Sequence, residues 1–163
     1  MLVVICGPPG AGKTTITTAL RRRLERRGEA VRTLHSDSFS SRTYDQLSER
    51  VRETPASAIT IVDGTFYRKR WQTQFRAFEP VRFVHVTAAL ETCLERNRAR
   101  AESIDEQGVH VVYREFSTPA ADVRIDTDEE SVSAAVEQLV AALEEWGWLE
   151  CDSECSVVSE TGV

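Results

Sequence analysis

Short apolar runs alternate along the chain with segments in which apolar residues recur every three or four positions. The first run, Leu2 to Cys6, is apolar throughout, which is typical of a strand buried on both faces of a parallel sheet. In the next segment Ile16, Leu20 and Leu24 lie four residues apart, a spacing that places them on one face of a helix. Similar apolar runs predict further strands at 30–35, 58–62, 81–86 and 123–125.

Segments with helical spacing separate these strands. They predict helices at about 13–27, 45–53, 69–78, 89–101 and 131–146. The predicted apolar face of the last helix contains Val132, Val136, Leu139, Val140 and Leu143. Before it, residues 102–108 are predicted to form a polar loop and 109–116 a short ordered piece. Because strands alternate with helices, we predict a three-layer α/β fold with a five-stranded parallel sheet and helices on both faces.

The residues after the first strand match the phosphate-binding pattern G-x-x-x-x-G-K-[ST] without a mismatch. The match is Gly7-Pro8-Pro9-Gly10-Ala11-Gly12-Lys13-Thr14. It stands between a strand and a helix, the context that a P-loop requires, and so predicts a P-loop NTPase fold. Backbone N–H groups are expected to face the phosphates at Gly7, Gly10, Ala11 and Gly12. Lys13 is expected to contact the β- and γ-phosphates, Thr14 a magnesium ion and Thr15 the α-phosphate region.

Two carboxylates follow neighbouring strands. Asp37 comes after the second strand and Asp63 ends the third, and ligands of parallel sheets bind beyond the carboxyl ends of the strands. Phosphoryl transfer uses an acid near magnesium and a carboxylate that orients or deprotonates the acceptor hydroxyl. We assign Asp37 to the acceptor or to magnesium, and Asp63 to the water shell of magnesium. The alternatives are a helix or turn cap at Asp37 and an Asp-Gly turn at Asp63, and His35 is interpreted as a strand-end residue.

Arginine supplies nearly all of the positive charge. Arg68, in a basic stretch after the third strand, is expected to hold an anionic acceptor. Arg96 and Arg100 would share one face of a helix, where they are predicted to close over the nucleotide and stabilise the transferring phosphoryl group. The alternative is the general preference of cations for helix C-termini. The remaining cluster, Arg21, Arg22, Arg23, Arg26 and Arg27, is interpreted as the solvated outer face of the first helix.

Negative charge is concentrated at the end of the chain. Residues 122–163 contain twelve acids and one base, whereas residues 1–121 contain fourteen acids and nineteen bases. An acidic end repels phosphates, which argues against a nucleic-acid-binding tail. No apolar run approaches the roughly 20 residues that span a bilayer, and the N-terminus lacks the basic start of a signal peptide. We therefore predict a cytoplasmic protein of one domain without a membrane segment.

Several segments occur together in the order found in one group of P-loop kinases. They are the P-loop, Asp37, Val62-Asp63-Gly64-Thr65-Phe66-Tyr67-Arg68, the helix end at Asn97 and Phe116-Ser117-Thr118-Pro119. Over residues 1 to about 143 the chain resembles the kinases grouped around adenylylsulfate kinase and seryl-tRNA kinase, including zeta-toxin-like and AAA-type ATP-binding kinases. The resemblance implies ATP with Mg²⁺, phosphoryl transfer to a hydroxyl and a mobile lid at about 96–113.

These observations together predict a kinase domain at 1–146 and an acidic tail at 147–163. The tail is expected to pack at Trp148-Leu149, and its Cys151 and Cys155 are interpreted as incidental thiols. Trp146 and Trp148 are expected to be exposed and to form the contact surface of a homodimer. The acceptor is expected to be a small anionic or nucleotide-like alcohol, as in an adenylylsulfate kinase. An RNA or tRNA kinase and a non-enzymatic ATP-dependent switch are the alternatives.

Overall fold

The computed structural model describes residues 1–151 of the chain. Its strands are β1 (Leu2–Cys6), β2 (Val31–His35), β3 (Ile59–Gly64), β4 (Val81–Thr87) and β5 (Val123–Asp126). Its α-helices are α1 (Lys13–Arg26), α2 (Thr43–Arg52), α3 (Lys69–Arg76), α4 (Leu90–Arg98), α5 (Glu106–Arg114) and α6 (Val132–Glu145). One turn of 3-10 helix, Ser36–Ser38, follows β2.

The five strands form one parallel sheet in the order β2-β3-β1-β4-β5. The central strand β1 pairs on both sides, with Val4 opposite Val62 of β3 and Phe83 of β4. All five residues of β1 are buried, as expected for a strand covered on both faces. This arrangement confirms the predicted α/β fold.

Alternation along β1 separates two cores. Val3 and Ile5 face a core with α1, α4, α5 and α6, whereas Leu2, Val4 and Cys6 face a core with α2 and α3. Each fully buried aliphatic side chain contributes about 1.5–3 kcal/mol relative to an exposed one. The two apolar faces therefore fix helices on both sides of the sheet. Polar loops occupy the end of the sheet at which all five strands have their carboxyl ends, called the carboxyl edge below.

The predicted apolar faces of the first and last helices are largely correct. Ile16, Leu20 and Leu24 are buried, and so are four of the five residues predicted for the last helix. Val132 is 41% exposed, and its prediction as a core residue is wrong. It occupies the first position of α6, after the cap that the Ser131 hydroxyl makes with the N–H of Ala134.

The segment before β5 differs from the prediction. Residues 106–108, expected in a polar loop, form the first turn of α5. Two contacts hold this turn: Glu106 forms a bidentate ion pair with Arg98, and Val109 is fully buried in the core. Both contacts depend on α4 and the core, so local composition does not reveal the helix.

The interpretation of the arginine cluster as the solvated outer face of the first helix is wrong at Arg27, which directly follows α1. Arg27 donates to Glu144 Oε1 at 2.7 Å and to the carbonyl oxygen of Glu150 at 2.6 Å. Arg23 Nε lies 3.6 Å from Glu137 Oε1. These contacts join α1 to the acidic end of the chain, where opposite charges attract.

The C-terminal residues that the structure describes pack as predicted at Leu149, which is buried. Trp146 and Trp148 are half-buried, and the guanidinium of Arg82 lies 5.3 Å and 6.0 Å from their ring centroids. The expectation that these rings are exposed is therefore wrong, and a homodimer through them stays a prediction. The remainder of the predicted tail, with Cys155, lies outside the described residues.

Candidate active site

The loops at the carboxyl edge of the sheet bring the predicted P-loop and both acids together. Gly7 follows β1, the 3-10 turn with Asp37 follows β2, and Asp63 lies near the end of β3. The Gly7 N–H donates to the carbonyl oxygen of Thr65 at 3.4 Å, which joins the P-loop to the segment after β3, and the Ala11 N–H donates to the carbonyl oxygen of Pro8 at 3.2 Å. In this structure these two N–H groups therefore bond to protein carbonyls, whereas the sequence predicted that they face the phosphates. This edge is where parallel sheets bind ligands.

The P-loop is held closely by neighbouring backbone at two glycines. A Cβ on Gly7 would lie 2.0 Å from the carbonyl oxygen of Val86, and a Cβ on Gly10 would lie 2.4 Å from that of Cys93. Gly10 also has a φ of 81°, a conformation that other L-residues rarely adopt. The loop can therefore take this shape only with glycine at both places.

Lys13, the first residue of α1, is partly buried beneath the loop. Its Nζ donates to the carbonyl oxygen of Pro8 at 2.8 Å, so the ammonium is held against the cradle. Burial lowers the pKa of Lys13 to about 8, and the charges of Asp63 and Asp37 oppose this effect. A polyphosphate in the cradle would favour the charged form for the same electrostatic reason.

Asp63 is paired with a residue whose role the sequence did not indicate. His35 Nδ1 lies 2.8 Å from Asp63 Oδ2, and the two residues stand opposite each other in the β2–β3 register. Burial raises the pKa of Asp63, and His35 and Lys13 oppose the rise. The imidazole thus orients a buried carboxylate. The sequence places both residues at the ends of predicted strands, and parallel pairing of those two strands would have indicated that His35 and Asp63 lie side by side.

Asp37 lies on the 3-10 turn and is exposed. Arg100 Nη2 is 4.0 Å from Asp37 Oδ2, so the structure brings together two residues that were predicted separately. α4 ends at Arg98, and the expectation that Arg96 and Arg100 share a helical face is therefore wrong. Arg100 instead projects from the segment between α4 and α5 towards the acid.

Arg96 lies on the outside of the P-loop. Its Nη1 donates to the carbonyl oxygen of Gly10 at 3.2 Å and to Thr127 Oγ1 at 2.8 Å. Its Nη2 donates to the carbonyl oxygen of Thr127 at 3.3 Å. In this structure Arg96 therefore supports the backbone of the loop, whereas the sequence predicted that it closes over the nucleotide.

Arg68 is exposed beside a group of aromatic rings. Its guanidinium lies 5.1 Å from the Tyr67 ring centroid and 6.0 Å from that of Trp71, and its Nε donates to the Tyr67 hydroxyl at 3.1 Å. Tyr44 stacks on Trp71 with the ring centroids 4.2 Å apart. The side chain is thus held over flat rings and keeps its charge in solvent.

The backbone below this aromatic group is fixed by buried polar side chains that sequence reasoning missed. The Tyr44 hydroxyl accepts from the N–H of Phe66 at 2.9 Å and lies 3.0 Å from Thr65 Oγ1. Gln72 donates to the carbonyl oxygens of Phe66 and Ser117 at 2.9 Å and 2.6 Å. Phe66 has a φ of 46°, so these bonds hold a conformation that costs energy.

The donors at this edge fit a hard divalent cation. Thr14 offers a hydroxyl from the first turn of α1, and Asp37 and Asp63 offer carboxylates from neighbouring strand ends. Oxygen donors of this kind, combined with waters and phosphate oxygens, are what Mg²⁺ prefers. Among residues 1–151 no group of three or more His, Cys, Asp or Glu residues could hold a metal ion.

The sheet order and the phosphate cradle at its carboxyl edge define a P-loop kinase, which is a phosphotransferase. Residues 2–119 match the family model described as an AAA domain. The match covers more than half of the chain, and the chain belongs to this AAA domain family. The predicted resemblance is thereby confirmed.

Both curated proteins and solved structures include proteins similar to this chain. The chain is 28% identical over 166 residues to the adenylyl-sulfate kinase of Halothermothrix orenii, covering 88% of this chain and 89% of that protein. Its fold matches Chaetomium thermophilum Kti12 with a TM-score of 0.74 at 18% identity, covering 89% and 98% of the two chains. It matches the Mycobacterium tuberculosis APS kinase with a TM-score of 0.70 at 16% identity, covering 88% and 96%.

Within residues 1–151 the structure contains no helix with the length and apolar character needed to cross a bilayer. The cytoplasmic location stays a prediction.

Proposed function

We propose that the chain transfers the γ-phosphate of Mg-ATP to a hydroxyl of a small anionic or nucleotide-like acceptor, as an adenylylsulfate kinase does. The observation that carries the proposal is the position of Asp37. It is an exposed acid on the turn after β2, at the same edge of the sheet as the P-loop. Relatives named adenylyl-sulfate kinase at 28% and 29% identity support the acceptor class.

Each part of the edge has a place in this reaction. The remaining loop N–H groups and Lys13 hold the phosphates. Thr14 directly, and Asp63 through its water shell, would hold Mg²⁺, which neutralises phosphate charge. Asp37 orients the acceptor hydroxyl and accepts its proton. A bond forms between the acceptor oxygen and the γ-phosphorus, the bond to the β-phosphate oxygen breaks, and ADP leaves. Arg100 lies close enough to Asp37 to contribute positive charge there.

The side chains around Arg68 favour a substrate that has a negative charge. Arg68 presents a solvated guanidinium above Tyr67 and Trp71, and guanidinium groups bind phosphate and sulfate oxygens in pairs. Segment 96–113, which contains Arg100, is the proposed lid, and residues 1–146 are the proposed kinase domain. Closure of such a lid excludes water from the transferring group.

The test is transfer of labelled γ-phosphate from Mg-ATP to adenylylsulfate, to nucleosides and nucleotides, and to tRNA. Lys13→Ala should abolish transfer, because the cradle loses its cation. Arg21→Ala is the matched control: it removes an exposed cation from the same helix, where Arg21 pairs with Glu25, and should leave the rate unchanged. Tight ATP binding without labelling of any acceptor would favour a nucleotide-dependent switch.

A second function, a kinase of RNA ends, is favoured by the arginines around Trp71. The Arg70 guanidinium lies 5.0 Å from the Trp71 ring centroid, close to Arg68, and stacked arginines and aromatics bind single-stranded nucleic acid. An RNA acceptor would show a steep fall in transfer between 50 and 200 mM salt. A small acceptor would show a shallow one, so the salt dependence separates the two functions.

A further inference from the structure

We infer that Thr127 is a positioning residue of the phosphate cradle, which it and Arg96 hold in its binding shape from outside. The inference rests on the proposed binding of a nucleoside triphosphate. Thr127 directly follows β5, 113 positions after Thr14 in a chain of 163 residues, and no sequence pattern connects it with the P-loop. The structure brings its hydroxyl beneath that loop.

The hydroxyl of Thr127 stands at the centre of a closed set of hydrogen bonds. Oγ1 donates to the carbonyl oxygen of Ala11 at 2.8 Å and accepts from Arg96 Nη1 at 2.8 Å. The same Nη1 reaches the carbonyl oxygen of Gly10 at 3.2 Å. Two consecutive carbonyls of the loop are thereby bound from the side away from the cradle.

The position of Thr127 is itself fixed. Its N–H donates to the carbonyl oxygen of Thr87 at 2.9 Å, which continues the β4–β5 ladder by one bond beyond Asp126. Arg96 Nη2 donates to its carbonyl oxygen at 3.3 Å. The hydroxyl therefore projects from the rigid end of the sheet and not from a free loop.

Binding the outer carbonyls has a direct effect on the inner N–H groups. A peptide unit is planar, so fixing its C=O on one side fixes the direction of the following N–H on the other. The carbonyls of Gly10 and Ala11 belong to the peptide units whose N–H groups are those of Ala11 and Gly12. The Ala11 N–H donates to the carbonyl oxygen of Pro8 at 3.2 Å and closes the loop on itself, so it is the Gly12 N–H whose direction the bond from Thr127 to the Ala11 carbonyl sets for a ligand. Gly10 and Gly12, with φ of 81° and 98°, offer little steric restraint of their own.

Few other side chains perform this task. Among residues 1–151, the side-chain hydrogen bonds to carbonyls of residues 7–12 come from Lys13, Arg96 and Thr127. Lys13 is expected to leave Pro8 for the phosphates when a nucleotide binds. Thr127 and Arg96 would then be the side chains that keep the outer face of the loop in place.

The experiment measures binding of Mg-ATP and, separately, of magnesium tripolyphosphate, a probe without base or sugar, by isothermal titration calorimetry. Thr127→Val removes the hydroxyl at nearly constant volume and should weaken both ligands about tenfold, because a buried carbonyl loses its donor. Thr127→Ser keeps the hydroxyl and should bind both within about twofold of the wild type. Thr54→Val is the control, since its hydroxyl bonds only to Arg50 at the exposed end of α2.

Each outcome separates the inference from the proposed function. If the wild type binds neither ligand, the proposed function fails. If the wild type binds and Thr127→Val binds tripolyphosphate equally well, the positioning role is wrong, and a loss confined to ATP would assign Thr127 to the base or sugar. If Thr127→Val lacks a cooperative melting transition, Arg96→Lys replaces it; normal tripolyphosphate binding by that variant would also overturn the inference.

Discussion

The two halves of the candidate active site are built in different ways. The phosphate half, residues 7–15, is made of backbone held tightly by β4, α4 and Thr127, and a side chain added at Gly7 or Gly10 would collide with a neighbouring carbonyl. The acceptor half consists of exposed side chains, among them Asp37, Arg68 and Arg100. Backbone geometry tolerates few sequences, whereas exposed side chains change at little cost in stability. The first half therefore identifies the class of enzyme, and the second is the half that we propose contacts the acceptor.

The largest expected effect tests how tightly the phosphate half is packed. Gly10→Ala should destabilise the protein by about 2–5 kcal/mol, from left-handed backbone strain and from overpacking against Cys93. Gly28→Ala is the matched control: its φ is 85°, but no atom lies within 4 Å of the added Cβ. It should cost only about 1–2 kcal/mol. Urea unfolding measures both, and equal losses would show that the contact with α4 is unimportant.

A second substitution tests the acceptor half by itself. Asp37→Asn should lower turnover about a hundredfold, as expected when a residue that accepts the acceptor proton is lost. Affinity for ATP should change by no more than about twofold, because Asp37 is exposed beyond the cradle. Asp45→Asn serves as control, because it removes an exposed carboxylate on α2 that pairs with Arg42. A parallel loss of ATP affinity would place Asp37 in the phosphate half.

The pH dependence of ATP binding tests Lys13. Its pKa is lowered to about 8 in the free protein, and bound triphosphate raises it again. Above pH 8 the free protein holds fewer protons than the complex, so affinity should fall by up to tenfold per pH unit. Calorimetry at pH 7 and pH 9, in buffers with different ionisation enthalpies, should show proton uptake only at pH 9. Lys13→Arg should bind more weakly, without this pH dependence.

The smallest effect concerns stability away from the edge. His85 of β4 is buried against Phe116 with ring centroids 5.3 Å apart, and burial together with Arg124 lowers its pKa. The unfolded chain therefore binds a proton more readily, and His85 should cost stability as pH falls below about 6.5, by less than about 1.4 kcal/mol per pH unit. The loss of stability between pH 7 and pH 5 is measured from the urea midpoints of wild type and His85→Phe, and it should be larger in the wild type. An equal decline in both would contradict it.

The sequence predicted the sheet and the cradle because both follow from local patterns. Buried parallel strands are continuous apolar runs, and the P-loop motif is contiguous. The contacts of Thr127 with Ala11 and of His35 with Asp63 join residues far apart in the chain, and the short first turn of α5 depends on Arg98 and the core. Such pairs follow from strand order and register, which apolar spacing in a single sequence does not specify.

The central place of β1 has a consequence for hydrogen exchange. Its amides lie between β3 and β4 and beneath two helical layers, so they should exchange only when the whole molecule unfolds. A nucleotide bound to the P-loop, which follows β1, adds its binding free energy to the free energy of global unfolding. β2, at the sheet edge with half-exposed residues, can open separately and carries the acceptor-side turn. Saturating ATP should therefore slow exchange in β1 by the full binding factor, while β2 gains less.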